Sequence, residues 1–220
     1  MNVNTVDSRG WTALHVAAAA DQRTLFPVLI EAGANINAFE MNGQSPLSLA
    51  VDKGHMDAVV ELIEAGAIVN ASHKNGWSPI CTAVMGKGLE MTNLLLAFGA
   101  DPSSPDAGGW TPLHFAISDE NTDDGVLDAL LEAGADPNTL SQDGWTPMMV
   151  AAKQGDHDMG RLLHARGASL DDCDGESLTP LHVAALHGHR VFFKWLVEAG
   201  AKQDVRDARG QTPSSVRNGF

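Results

Sequence analysis

The sequence predicts an all-α solenoid, a stack of short helix pairs rather than one globule around a central core. Three observations predict it. A turn-and-cap segment recurs as Gly10-Trp11-Thr12-Ala13, Gly43-Gln44-Ser45-Pro46, Gly76-Trp77-Ser78-Pro79, Gly109-Trp110-Thr111-Pro112, Gly144-Trp145-Thr146-Pro147, Ser177-Leu178-Thr179-Pro180 and Gly210-Gln211-Thr212-Pro213. Its steps are 33, 33, 33, 35, 33 and 33 residues. A Gly-Ala marker follows in phase at Gly33, Gly66, Gly99, Gly134, Gly167 and Gly200, 23 residues on in every repeat except the fourth, where the gap is 25. Self-similarity at such a period is the mark of stacked supersecondary units. Finally, one unit of this size cannot bury its own apolar face, so neighbours must cover it.

Each element of the unit has a local cause. The Thr or Ser is a helix N-cap, its oxygen accepting a backbone N–H that has no partner inside the helix. The Pro after it suits the first helical position, where a missing N–H costs nothing. A short helix follows, as over Pro112–Ser118, with small Ala116 letting backbones approach. A turn with Gly (Gly54, Gly155, Gly188) leads to a second helix with apolar runs such as Val59-Val60-Glu61-Leu62-Ile63. Gly66 and its equivalents end that helix in a left-handed cap. Residues such as Asn70–Asn75 then reverse the chain into the next unit.

These motifs resemble those of the ankyrin repeat family over nearly the whole chain. The residues that carry the resemblance are the Gly-x-Thr-Pro-Leu-His segment, Gly54-His55 and Gly188-His189, and the run Leu130–Asp136. The resemblance implies an L-shaped unit of two antiparallel helices and a β-hairpin-like finger, and a curved solenoid whose concave face is built from fingers and first helices. It divides the chain, as one domain over 1–220, into repeats at 7–39, 40–72, 73–105, 106–140, 141–173 and 174–206, with a capping half-repeat at 207–220. It also implies that His15, His114 and His182 hydrogen-bond neighbouring finger and helix backbone.

The ends depart from the pattern. Asn2-Val3-Asn4-Thr5 matches Asn35-Ile36-Asn37-Ala38 one period later, so the chain opens inside a finger, either cut from a longer array or capping itself. In repeat one Ala13 replaces Pro, and Pro27 falls in the second helix, where it must break a hydrogen bond or shift the helix start. Ser214-Ser215 replace Leu-His and fit a terminal cap with a wet outer face. Repeat one is expected to be the least stable.

Composition narrows the function. No run of about 18 apolar residues offers a membrane span, and Met1–Gly10 has no secretory pattern. Two cysteines, Cys81 and Cys173, are too few for a disulfide framework or a four-ligand zinc site, so a reducing, cytoplasmic setting is expected. Fourteen Lys and Arg against 28 Asp and Glu give a net charge of −14, which argues against nucleic acid, whose binding rests on basic side chains at phosphates. No nucleophile elbow or phosphate loop is present, so no enzyme activity and no cofactor are expected. His187-Gly188-His189 lacks a supporting ligand for metal. The segment 118–125 spaces Asp119, Asn121 and Asp123 like a calcium loop, but its Gly is one place late and its twelfth position is Leu130, so it reads as a solvated acidic loop.

What remains is a binding surface. Trp11, Trp77, Trp110 and Trp145 all follow the finger glycine, a position that the resemblance places on the concave side, with Gln44, Leu178 and Gln211 in the other repeats. They either pack on neighbouring fingers or form an aromatic binding stripe, since Trp is enriched at interface hot spots. Between Lys87 and Lys153 lie eleven acids and no Lys or Arg; solubility or attraction of a basic partner accounts for them equally. The expected partner-binding residues are Trp11, Trp77, Trp110, Trp145, Asp106, Asp119 and Asp143. The expected function is a monomeric, non-catalytic module that holds a protein partner with a basic contact face, as adaptor or inhibitor. A second reading is a structural or regulatory ankyrin segment of a larger enzyme or channel. Asn37, Asn70 and Asn138, each eight residues after a Leu, are similar to the family's asparagine-hydroxylation pattern, which is also ordinary structural consensus.

Overall fold

The computed structural model describes residues 2–72, 75–86, 88–119 and 124–216. Residues 120–123, which carry most of the calcium-like spacing and part of the acidic stretch, lie outside them. The chain forms two compact units, 1–107 and 108–220. Among the described residues every regular element is helical.

The first unit holds α1 (Ala13–Ala19), a 3₁₀ turn (Arg23–Leu25), α2 (Phe26–Glu31), α3 (Pro46–Lys53), α4 (Met56–Glu64), α5 (Pro79–Val84) and α6 (Gly88–Ala97). The second holds α7 (Pro112–Ser118), α8 (Asp124–Glu132), α9 (Pro147–Gln154), α10 (His157–Ala165), α11 (Pro180–Leu186) and α12 (Arg190–Glu198). First helices pack side by side, α1 on α3 on α5 in one unit and α7 on α9 on α11 in the other, and each covers its own second helix. An inner helix is thus covered on several sides, which is why α3 buries every residue from Pro46 to Val51. An outer helix buries one stripe, such as Ala58, Val59 and Leu62 of α4. Stacked units of this kind replace a central core by a continuous one.

Pro27 resolves by shifting the helix start. It sits in the first turn of α2, where its absent N–H costs nothing, and the turn before it tightens to 3₁₀. The six-residue α2 buries only Phe26. Val16 is 45% and Leu25 42% exposed, whereas their equivalents one repeat later, Leu49 and Ala58, are buried.

The fingers are hairpin-like reversals without a strand among the described residues. One acid closes most of them. The carboxylate of Asp7 accepts the backbone N–H of Arg9 and Trp11 at 2.8 and 2.9 Å, and its backbone N–H bonds the Trp11 carbonyl at 3.0 Å. Glu40, Asp174 and Asp207 do the same in their own fingers. Single backbone bonds join successive fingers, Met41 N–H to the Arg9 carbonyl in the first unit and Gln142 N–H to the Gly108 carbonyl in the second.

Asparagines form the second inter-repeat link. Asn37 donates its amide to the Gly66 carbonyl and accepts the Ile68 N–H. Asn70 does so at Gly99 and Asp101, and Asn138 at Gly167 and Ser169. Each side chain satisfies a carbonyl that the helix end leaves free. Asn4 makes the same pair of bonds to Gly33 and Asn35, so residues 2–5 do form a finger of this type.

Candidate functional site

The face to be judged begins with a buried latch. His15, His114 and His182 are fully buried in the first turn of α1, α7 and α11. The Nδ1 of His114 accepts the Thr111 backbone N–H at 3.2 Å and lies 2.9 Å from its Oγ1. The proton therefore sits on Nε2, which donates to the Trp145 carbonyl at 3.0 Å in the next repeat. His15 reaches the Gln44 carbonyl and His182 the Gln211 carbonyl in the same way. In these three repeats the residue after the next finger glycine is thus held by its backbone carbonyl, whether it is Gln or Trp. In repeat three Cys81 stands in the His position; its sulfur accepts the Ser78 hydroxyl at 3.3 Å and makes a weak thiol contact to the Ser104 carbonyl, and burial pushes its pKa up.

The glycine before each Trp allows the fingers to touch. A Cβ on Gly76, at φ +73°, would sit 2.7 Å from the Asp106 backbone, and one on Gly109, at φ +77°, 2.8 Å from the Gln142 nitrogen. Both are left-handed positions that suit glycine.

All four indoles are half-buried, and each has a neighbour of its own. The Arg9 guanidinium lies 4.0 Å over the Trp11 ring. The Trp77 Nε1–H donates to Thr82 Oγ1 at 2.9 Å. Trp110 packs against Phe115 with 5.5 Å between ring centres. The Lys153 ammonium lies 5.5 Å over Trp145. Packing therefore accounts for part of each ring, and the rest is open to solvent.

The acids divide among different places. Asp106 shares the register of Asp7, Asp174 and Asp207 and lies against Gly76 in the first unit. Asp119 caps the C-terminus of α7 and is half-buried. Asp143 is exposed on its finger. The second unit brings three expected site residues together: Trp110, Trp145 and Asp143 line one slot of about 240 Å³, with Lys153, Val150 and Gln154 completing it. Gln154 is fixed there by donating to the Ser118 carbonyl at 2.9 Å. Trp11 and Trp77 stand two repeats apart in the first unit, outside this slot. Sequence reasoning overlooked Lys153 and Gln154. The available signal was that Lys153 lies in the last turn of the helix that begins beside Trp145.

Among the described residues no group of three or more His, Cys, Asp or Glu is placed to hold a metal, and His187 and His189 stack on each other with 6.3 Å between ring centres. Among the same residues no helix is long and apolar enough to cross a membrane.

Paired helices, bonded fingers and a latching histidine define a helical repeat protein. The family model for ankyrin repeats in three copies matches residues 1–73, 47–139 and 120–207, so the chain belongs to the ankyrin repeat family. A similar solved structure is the crystal structure of the human ASB11 ankyrin repeat domain, at 27% identity and a TM-score of 0.78, covering 94% of this chain and 92% of that one. No curated protein matches the sequence at a significant level. Ankyrin repeats are generally protein–protein interaction modules and typically non-catalytic.

Proposed function

We propose that this chain is a non-catalytic recognition module that holds a protein partner on its tryptophan-bearing face, acting as an adaptor or inhibitor in the cytoplasm, as a monomer. The observation that carries the reading is the slot between Trp110 and Trp145. Two large indoles, one of them latched through the Trp145 carbonyl, are left half-open beside the carboxylate of Asp143. A side chain needed only for packing would be covered more fully. Trp11, Trp77 and Asp106 offer the same kinds of side chain in the other unit, and Asp119 and Asp143 add acid in this one, which favours a partner with a basic contact face.

The test is affinity capture from the source cells with the wild-type chain and the Trp110→Ala/Trp145→Ala variant side by side. A protein retained by the first and lost by the second supports the reading, and identical captured sets refute it. For the captured partner, the association rate should fall as salt rises, because exposed charges are screened beyond about 8 Å at physiological ionic strength. A rate independent of salt leaves the acids as a solubility feature.

A further inference from the structure

Trp145 lines two grooves. One is the 240 Å³ slot shared with Trp110. The other runs between two fingers, has a volume of about 780 Å³, and is lined by Trp145, Asp143, Asp174, Glu176, Leu140 and Leu178 among others. Their chemistry differs. The slot has two indoles and Val150 as walls, and it already contains a cation, the Lys153 ammonium over Trp145. A second cation there would meet like charge. At about 240 Å³ it is also smaller than the roughly 300–1,000 Å³ usual for small-molecule pockets, a size for one side chain. The interfinger groove carries three carboxylates and no Lys, Arg or His among its lining residues. Leu140, 52% exposed at its edge, offers an apolar rest for an aliphatic stem.

We propose that the two grooves are adjoining subsites for one extended segment of a partner protein, with a large apolar side chain in the Trp110–Trp145 slot and a Lys or Arg side chain in the groove of Asp143, Asp174 and Glu176. The inference rests on the recognition reading above and names the partner's local pattern. Trp145 and Asp143 border both grooves, so the subsites adjoin. In an extended chain side chains alternate faces and rise about 3.3 Å per residue, which puts positions i and i+2 on one side at roughly 7 Å. The pattern is therefore apolar-x-basic or its reverse. The basic side chain lies along the Trp145 edge with its charge at the carboxylates, where cation–π and ionic attraction act together.

The experiment is selection of phage-displayed random peptides on the whole chain, with parallel selections on Trp110→Ala and on Asp143→Asn/Glu176→Gln. The double variant alters exposed side chains and keeps the fold, which far-UV circular dichroism checks. The wild type should enrich peptides with a large apolar residue two positions from Lys or Arg. Those peptides should bind roughly thirtyfold more weakly to each variant, the size of a hot-spot truncation. The basic preference should vanish only on the double variant and the apolar preference only on Trp110→Ala. Enriched peptides that need Trp110 but show no basic residue at that spacing overturn this inference and leave the recognition reading standing. Peptides indifferent to both variants, or no enrichment, overturn both.

Discussion

Replacing His114 by Ala should weaken the protein by about 3–6 kcal/mol and release Trp145 from its position. His114 is fully buried. Its loss leaves the Thr111 backbone N–H without its 3.2 Å acceptor; an orphaned buried donor costs about 1–3 kcal/mol. The Trp145 carbonyl loses the Nε2–H bond but keeps the Ser141 N–H at 2.9 Å, so this loss is nearer 1 kcal/mol. The vacated ring volume between α7 and α9 adds a cavity term of about 1–2 kcal/mol. Urea unfolding followed by tryptophan fluorescence measures the total, and amide exchange at 141–145 reads the latch directly. His114→Asn, which retains an acceptor and a donor, should recover part of the loss. A change under about 1 kcal/mol, or unaltered exchange at 141–145, would refute the latch as the device that fixes the tryptophan face.

Gly160→Ala should destabilise by up to about 2 kcal/mol although Ala is the better helix former by about 1 kcal/mol. The new Cβ would lie 2.6 Å from Phe192 and 3.0 Å from Trp195, and overpacking costs about 1–3 kcal/mol; a gain in urea midpoint would contradict this, and Phe192→Leu in the same chain should relieve it. Burial, opposed by the Gln44 carbonyl bond, holds the His15 pKa below its ordinary value, and burial with Lys153 and His189 lowers that of His187. The unfolded chain then binds more protons, so this stability is complete above about pH 6.5 and is lost as pH falls below it. Urea midpoints should drop between about pH 7.5 and 5.5, and a flat or rising profile toward acid would oppose the assignment. Hydrogen exchange should be faster in α1 and α2 than in α3 and α4, because α2 buries one side chain and has a 3₁₀ start; the reverse order would contradict the argument.

The parts legible in the sequence are those with a local cause. Pro112 to Ser118 is a helix with the bounds its cap and proline indicate, and Gly33, Gly66 and Gly99 all take the left-handed φ that ends a second helix. The consequence of Pro27 was open between a broken bond and a shifted start, since the choice depends on whether residues 23–25 can tighten before it. Asp7, Glu40, Asp174 and Asp207 close their own fingers, a role the sequence reading did not assign and which the recurrence of an acid at that repeat position could have indicated. The slot was legible only in part. Trp110 and Trp145 share a register, but Lys153 over Trp145 depends on the side chain folding back from the end of α9, which no local pattern specifies.

Titration of the captured partner into the wild-type chain and into Trp110→Ala by calorimetry tests the recognition reading most directly. The account predicts a loss of about 2 kcal/mol, roughly thirtyfold in Kd, with unchanged far-UV circular dichroism. Equal affinity of the two chains for that partner would place its contact elsewhere and leave the tryptophans with their packing role alone.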